Sequence, residues 1–371
     1  MTVALAHDYI TQRGGAERVA LELARAFPEA PLFTTLYNPE STFPEFSDVD
    51  VRASWLNSIK PLRNWHRMSM PALASVVSNT TIEAELTLAS SSGWAHGYSC
   101  SGTKVVYCHA PARWLYQGSR YFGVDNASNP LSWRRVARSG SEVGLRRLRK
   151  WDARSALGAE RYIANSTATR NAIWRAYGVD SEIVFPPTTL GPGTAEPVQK
   201  LDGGFVLCVA RLLPYKNVDL VVSAVQSQPG IQLVVVGEGP YRRVLEEQID
   251  GDQVRLLGRV SDEHLRWLYA NCSILVAASH EDFGLSPLEA AAFGRPTVAL
   301  RAGGYLDTIR DGVSGIFFDE VAPASLSRAI TQALAMNWDE AQIKAHAESF
   351  SPVVFRSRIR QIVTDELSNH S

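Results

Sequence analysis

The stretch CSILVAASHEDFGLSPLEAAAFGRPTVAL, residues 272–300, holds the organisation of the whole chain in small compass. SILVAAS is a short continuous apolar run, the pattern of a strand buried on both faces. LSPLEAAAFG reads as a helix, closed by Gly294, and PTVAL starts the next strand. A strand joined to the next through a helix is the unit of a parallel sheet, because parallel neighbours need a crossover. Ser286-Pro287-Leu288-Glu289 also matches a capping box, with Ser286 as N-cap, Pro287 in the first turn and Glu289 reaching back. That box accounts for Glu289. It does not account for Glu281, or for His280 and Asp282 beside it, in the loop before the helix.

A carboxylate accepts hydrogen bonds from hydroxyls, and a sugar or a ribose offers them in vicinal pairs. The amides of Gly284, Leu285 and Ser286 open the helix, where unpaired N–H groups and the helix dipole suit phosphate oxygens. Glu281 and Glu289 then face a sugar and a ribose, with a diphosphate at the helix mouth between them.

The same rhythm extends in both directions. Before the stretch, FVLCVARL, IQLVVVGEG and VRLLGRV alternate with the helical patterns VDLVVSAVQSQ, PYRRVLEEQI and SDEHLRWLYAN; IFFD follows it. In the first half TVALAHDY, APLFTTLY, VDVRAS, ELTLASSS, KVVYCHA and RYIANS read as strands, with helices at GAERVALELARAF and at TATRNAIWRAYG, which stops at Gly178. Between the halves, EIVFPPTTLGPGTAEPVQKLDGG is rich in Pro and Gly and aperiodic, the signature of a linker. The fold class expected is α/β, with two doubly wound parallel-sheet domains facing a central cleft. The boundaries expected are 1–186 for an N-terminal domain, 187–203 for the linker and 204–350 for a C-terminal domain. SFSPVVFRSRIRQIVTDEL forms one more amphipathic helix.

Bulk properties fit a globular protein. The chain has 371 residues, 45% hydrophobic and 20% charged, with a net charge of -1. That balance gives no general attraction to nucleic acid. Cys100, Cys108, Cys208 and Cys272 lie far apart and read as buried free thiols, not a disulfide framework or metal site. No run approaches the roughly 20 apolar residues of a membrane span, and the start MTVALAHDYI lacks the form of a signal peptide. The expected location is cytoplasmic.

Three further loops follow strands. Gly14-Gly15 opens the first helix and lets the backbone approach a ligand. ARLLPYKNVDL places Arg211 and Lys216 after the first strand of the second half. Cations at a helix start oppose its dipole, and an anionic ligand would relieve this; Arg grips two oxygens while Lys acts as a point charge. YCHAPARWLY puts His109 after a strand, with Ala110-Pro111 stopping the strand so as to expose the ring, and Arg113 and Trp114 nearby. The segment SWRRVARSGSEVGLRRLRKWDARSALGAER, with Arg134, Arg135, Arg138, Arg146, Arg147, Arg149, Lys150 and Arg154, admits two readings. It is a basic amphipathic surface for anionic lipid or a diphosphate, or a solvated helix face whose Trp133 and Trp151 pack on the domain.

The combination of RGGAE, HAP, RLLPYK, GEG, LLGRVSD and the E-x7-E of HEDFGLSPLE resembles the family 4 retaining glycosyltransferases of the GT-B fold over nearly the whole chain. YCHAPARW, the ANS of RYIANSTATR, and YGVDSEIVFPP resemble the bacterial GDP-mannose-dependent mannosyltransferases. The resemblance implies that Glu281 contacts hydroxyls of the donor sugar, Glu289 holds the ribose, and Arg211 and Lys216 neutralise the diphosphate leaving group. It implies that Gly15 approaches the diphosphate from the other domain, that His109 sits by the transferred sugar, and that Gly258, Arg259 and Val260 line the base. It further implies that 1–186 is the acceptor-side domain, that 204–350 is the nucleotide-sugar-binding domain, that residues 351–371 cross back to the first domain, and that anomeric configuration is retained without a metal or other cofactor. The donor is then a nucleotide sugar, with GDP-mannose favoured, and the acceptor a glycan or polyprenyl-diphosphate-linked glycan of a cell-surface polysaccharide. Arg146, Arg147 and Arg149 become candidates for an acceptor or peripheral membrane contact at the inner face of the cell membrane. Two enzyme alternatives are a UDP-sugar-dependent transferase and a nucleotide-sugar epimerase; the non-enzymatic alternative is a sugar-nucleotide-binding protein.

Overall fold

The computed structural model describes residues 2–64, 66–116, 142–188 and 190–369. The chain divides into two compact units: Met1–Pro187 with Pro352–Ser371, and Thr188–Ser351.

The first unit is built on strands β1 (Val3–His7), β2 (Leu32–Thr34), β3 (Val51–Ala53), β5 (Leu86–Ser91), β7 (Thr103–Cys108), β8 (Arg161–Ala164) and β9 (Glu182–Ile183). A separate short pair is formed by β4 (Thr81–Ile82) and β6 (Ser99–Cys100). The large sheet has the order β3-β2-β1-β5-β7-β8-β9, and its pairings are parallel. Alternate residues of β7 serve opposite faces. Val105 and Tyr107 pack with Leu5, Leu88, Phe355 and Ile359, whereas Val106 and Cys108 pack with Ala4, Ala89, Tyr162 and Ile173. Burial on both sides explains why these strands read as unbroken apolar runs.

The C-terminal helix Pro352–Asn369 belongs to this unit. It buries Phe355, Ile359, Ile362 and Val363. Arg356 bonds the buried Glu22 of helix Gly15–Ala26, and Arg360 Nε donates to the Ala26 carbonyl at 2.9 Å, so a cation meets that helix's carboxyl end.

The second unit holds β10 (Val206–Val209), β11 (Leu233–Val236), β12 (Val254–Gly258), β13 (Ile274–Ala277), β14 (Thr297–Leu300) and β15 (Gly315–Phe318), in the order β12-β11-β10-β13-β14-β15. The order reverses between β10 and β13, which makes their carboxyl ends the switch point where ligands of open α/β sheets bind. Val206, Val235, Ile274 and Val298 face helices Val218–Gln226 and Pro323–Ala335; Leu207, Val234 and Leu275 face Leu268, Tyr269 and Ala290.

The elements differ in detail from the expectation. Several strands are shorter than their apolar runs; FVLCVARL, for example, is a strand only over Val206–Val209. Helix Pro323–Ala335 and the short helix Tyr305–Thr308 were not anticipated. Three cysteines are buried, but Cys100 is half-exposed, because it ends the short β6 at the surface instead of a central strand. Among the described residues no helix is long and apolar enough to cross a membrane.

Candidate active site

The loops at the carboxyl ends of β10 and β13 meet within the second unit. The chain leaves β10 through Arg211 and enters the 3-10 turn Pro214–Lys216. Asn217, at φ 53°, ends that turn and starts helix Val218–Gln226; its Nδ2 donates to the Ala278 carbonyl at 2.9 Å, tying the two loops together. Lys216 Nζ donates to Glu281 Oε1, and both side chains are largely buried, 15% and 17% exposed. Lys216 also lies 5.2 Å from the centre of the Tyr215 ring. The lysine charge is therefore met by a carboxylate from the neighbouring loop. The Arg211 side chain is exposed and has no hydrogen bond or ion pair among the described residues.

Glu281 is held from behind. Ser279 Oγ donates to Glu281 Oε1 at 2.6 Å and lies 3.1 Å from the hydroxyl of buried Tyr305. A carboxylate only accepts, so Ser279 gives its hydrogen to Glu281 and receives one from Tyr305. Burial and the Glu281 charge push the Tyr305 phenol well above its usual range, which keeps it a donor.

Helix Leu285–Ala292 begins beside this pair, and here the capping box fails. The N-cap is Gly284, at φ 91° and without a side-chain cap; Ser286 lies inside the helix. Glu289 turns the other way, and its Oε2 accepts from the Tyr269 hydroxyl at 2.8 Å. Gly284 is required sterically as well as by its backbone angle, since a Cβ there would run into the Tyr305 ring. Gly303-Gly304, which follows β14, packs on the same loop. Gly304 N donates to the Glu281 carbonyl at 2.9 Å, and a Cβ on Gly303 or Gly304 would strike the backbone of Glu281 or Phe283. A doubled glycine after β14 was the available signal.

The GEG loop after β11 is set against the Arg211 loop. Leu212 N donates to the Glu238 carbonyl, and side chains on Gly237 or Gly239 would overlap the carbonyls of Ala210 or Leu212. β12 ends at Gly258, so Arg259 and Val260 lie beyond the strand; Arg259 is exposed, 3.7 Å from the exposed Glu238.

In the first unit Gly14 is the N-cap of the helix that starts at Gly15, at the carboxyl end of β1. A Cβ on Gly14 would meet the buried Glu17 carboxylate at 2.5 Å, so this glycine makes room for an acid of its own helix. His109 follows β7, but its ring is not exposed as expected. It is 8% exposed, packed 5.3 Å from the Tyr107 ring and bonded through Nε2 to Ser90 Oγ at 2.8 Å. Burial, His7 and the Arg113 charge pull its pKa from 6.5 to about 3. Sequence reasoning missed His7, Ser90 and Asp8. Buried Asp8 accepts from the amides of Ser92, Trp94 and Ala95, fixing the loop after β5.

Helix Glu142–Ala156 carries Arg146, Arg147, Arg149 and Lys150 on an exposed face. Arg149 donates to the Leu115 carbonyl at 2.8 Å. Trp151 packs near Trp94 and donates to Ser78 Oγ at 2.7 Å, so it anchors the helix to its own unit. Trp133, Arg134, Arg135, Arg138 and the Trp114 side chain lie outside the described residues. Also among the described residues, no group of three or more His, Cys, Asp or Glu side chains could hold a metal ion.

Comparison with known proteins bears on the family and the fold. Residues 13–188 match the family described as Glycosyltransferase Family 4, and residues 195–350 match Glycosyl transferases group 1. The chain belongs to the family 4 glycosyltransferases and has the GT-B fold. The structure of Anabaena HepE in complex with UDP and glucose superposes with a TM-score of 0.68 at 20% identity, covering 98% of this chain and 99% of that one. The D-inositol 3-phosphate glycosyltransferase of Geodermatophilus obscurus is 32% identical over 225 residues, 52% of this chain and 50% of that protein. The GDP-mannose-dependent alpha-mannosyltransferase of Corynebacterium glutamicum is 36% identical over 114 residues, 30% of this chain and 27% of that protein. The matches span half or less of the length of these curated relatives.

Proposed function

We propose that the protein transfers a sugar from a nucleoside diphosphate sugar to a glycan or lipid-linked glycan acceptor, with retention of configuration and without a metal. The observation that carries this is the Lys216–Glu281 pair at the switch point of the second sheet, beside the mouth of helix Leu285–Ala292. The cation and the helix mouth suit a diphosphate, and the acid beside them suits sugar hydroxyls. Arg211 adds a second cation, and Glu289, steadied by Tyr269, takes the ribose. Gly284, Leu285 and Ser286 receive phosphate oxygens on their amides, and Gly258, Arg259 and Val260 line the base. In the first unit, Gly15 and His109 stand at the ligand edge of the sheet, with Arg113, Arg146, Arg147 and Arg149 on the acceptor's side.

As the sugar–phosphate bond breaks, positive charge develops on the sugar and negative charge on the departing diphosphate. Fixed donors placed where the anion grows lower the barrier. Retention follows when the acceptor attacks from the face of the leaving group and the departing phosphate oxygen takes its proton. GDP-mannose is the donor proposed, supported by the quoted motifs and by the similarity to the Corynebacterium enzyme.

Thermal denaturation with GDP, UDP and ADP and their sugars tests the proposal, since a ligand of the native state raises the midpoint by mass action. GDP and GDP-mannose are expected to raise it. A shift with UDP compounds alone would reject the mannosyl donor and keep the transferase; no shift with any of them would reject both.

A further inference from the structure

His7 and Ser90 have no role in the donor chemistry, yet they make a buried polar chain that ends on His109. His7 closes β1 directly opposite Ser90 of β5. Its Nδ1 lies 3.1 Å from the Ser90 carbonyl oxygen and 3.0 Å from Ser90 Oγ. Ser90 Oγ lies 2.8 Å from His109 Nε2. His7 and Ser90 are 2% and 1% exposed.

The chemistry of these atoms gives the chain a direction. A carbonyl oxygen only accepts, so His7 Nδ1 carries a hydrogen; a bare nitrogen there would set two lone pairs against each other. That hydrogen is shared with Ser90 Oγ, which leaves the serine hydrogen to point at His109 Nε2. A nitrogen that accepts is bare, so a neutral His109 carries its proton on Nδ1. The Arg113 charge and burial both oppose a second proton. The backbone of His109 is pinned as well, its carbonyl accepting from Asn165 Nδ2 at 3.0 Å and Thr169 Oγ1 at 3.2 Å. Nδ1 has no hydrogen-bond partner among the described residues.

We infer that His7 and Ser90 are positioning residues that lock His109 as its neutral Nδ1–H tautomer, so that the ring donates a hydrogen bond to a substrate oxygen and takes up no proton during turnover. The identity of that oxygen rests on the transferase reading; the tautomer does not.

Long-range proton–nitrogen correlation spectra of the full chain, labelled with 15N histidine, read the tautomer directly. At neutral pH His109 is expected to show a protonated Nδ1 and a bare Nε2. A proton on His109 Nε2 overturns the inference. In Ser90→Ala the ring loses its partner and should become a mixture of tautomers, with kcat lowered about tenfold, the worth of one neutral hydrogen bond, and KM for the donor little changed. Ser90→Thr should restore both the spectrum and the turnover. An unchanged His109 spectrum in folded Ser90→Ala also overturns it. The spectra need no activity, so a chain that transfers no sugar would count against the transferase reading while the tautomer is still decided.

Discussion

Lys216 and Glu281 come from separate loops, and neither is comfortable alone at 15% and 17% exposure. Breaking a partly buried pair leaves a charge without compensation, so both residues are held in place by the need for one another. In the proposed reaction a diphosphate beside them would offer Lys216 a second anion, and sugar hydroxyls would offer Glu281 new donors. Burial works in the opposite sense on His7 and His109, which stay neutral. Their pKa values are lowered by folding, so below about 6.5 the unfolded chain binds protons that the native chain refuses. Stability should therefore hold above that pH and fall as pH drops toward about 3, at about 1.4 kcal/mol per pH unit for His109 alone. Urea unfolding of the wild type and of His109→Gln at several pH values in this window checks the sign: the wild type should show the steeper acid loss. At this scale the sequence revealed residue types and their strand-end positions. It could not reveal that His109 is buried or that Glu289 bonds Tyr269, because both depend on strands and helices brought together from distant segments.

Helix Leu285–Ala292 shows what local pattern contains and what it lacks. Its extent was legible from LSPLEAAAFG, but its cap was not. Ser-Pro-x-Glu is a sound local signal for a helix start; the tertiary contact of Gly284 with the Tyr305 ring decides otherwise and begins the helix earlier. Replacing Gly284 by Ala sets a side chain at φ 91° against that ring. It should destabilise the second unit by about 2–4 kcal/mol, seen as a lowered calorimetric midpoint for that unit. A midpoint unchanged from wild type would show that the glycine is not structurally required. Strand existence was readable because both faces of each sheet are buried, giving runs such as KVVYC and LVVV. Strand order was not readable, since the β10–β13 neighbourhood joins segments separated by β11 and β12.

Across the whole molecule, two doubly wound units each place their candidate functional loops at the carboxyl ends of parallel strands. The C-terminal helix returns to the first unit, where Arg356 and Arg360 fasten it to helix Gly15–Ala26. The amphipathic pattern of that helix was visible in the sequence, and its packing partner came from the family resemblance. Two glycosyltransferase family matches, one over each half of the chain, agree with this construction. Calorimetric titration of GDP, with UDP in parallel, into the wild type and into Lys216→Ala bears most directly on the central claim that the second unit grips a nucleoside diphosphate through its switch-point cations. The expected result is GDP binding to the wild type and an affinity about ten- to a hundredfold lower in the variant, the worth of one charge-assisted hydrogen bond. Equal affinity in both proteins, or no binding of either nucleotide to the wild type, would contradict it.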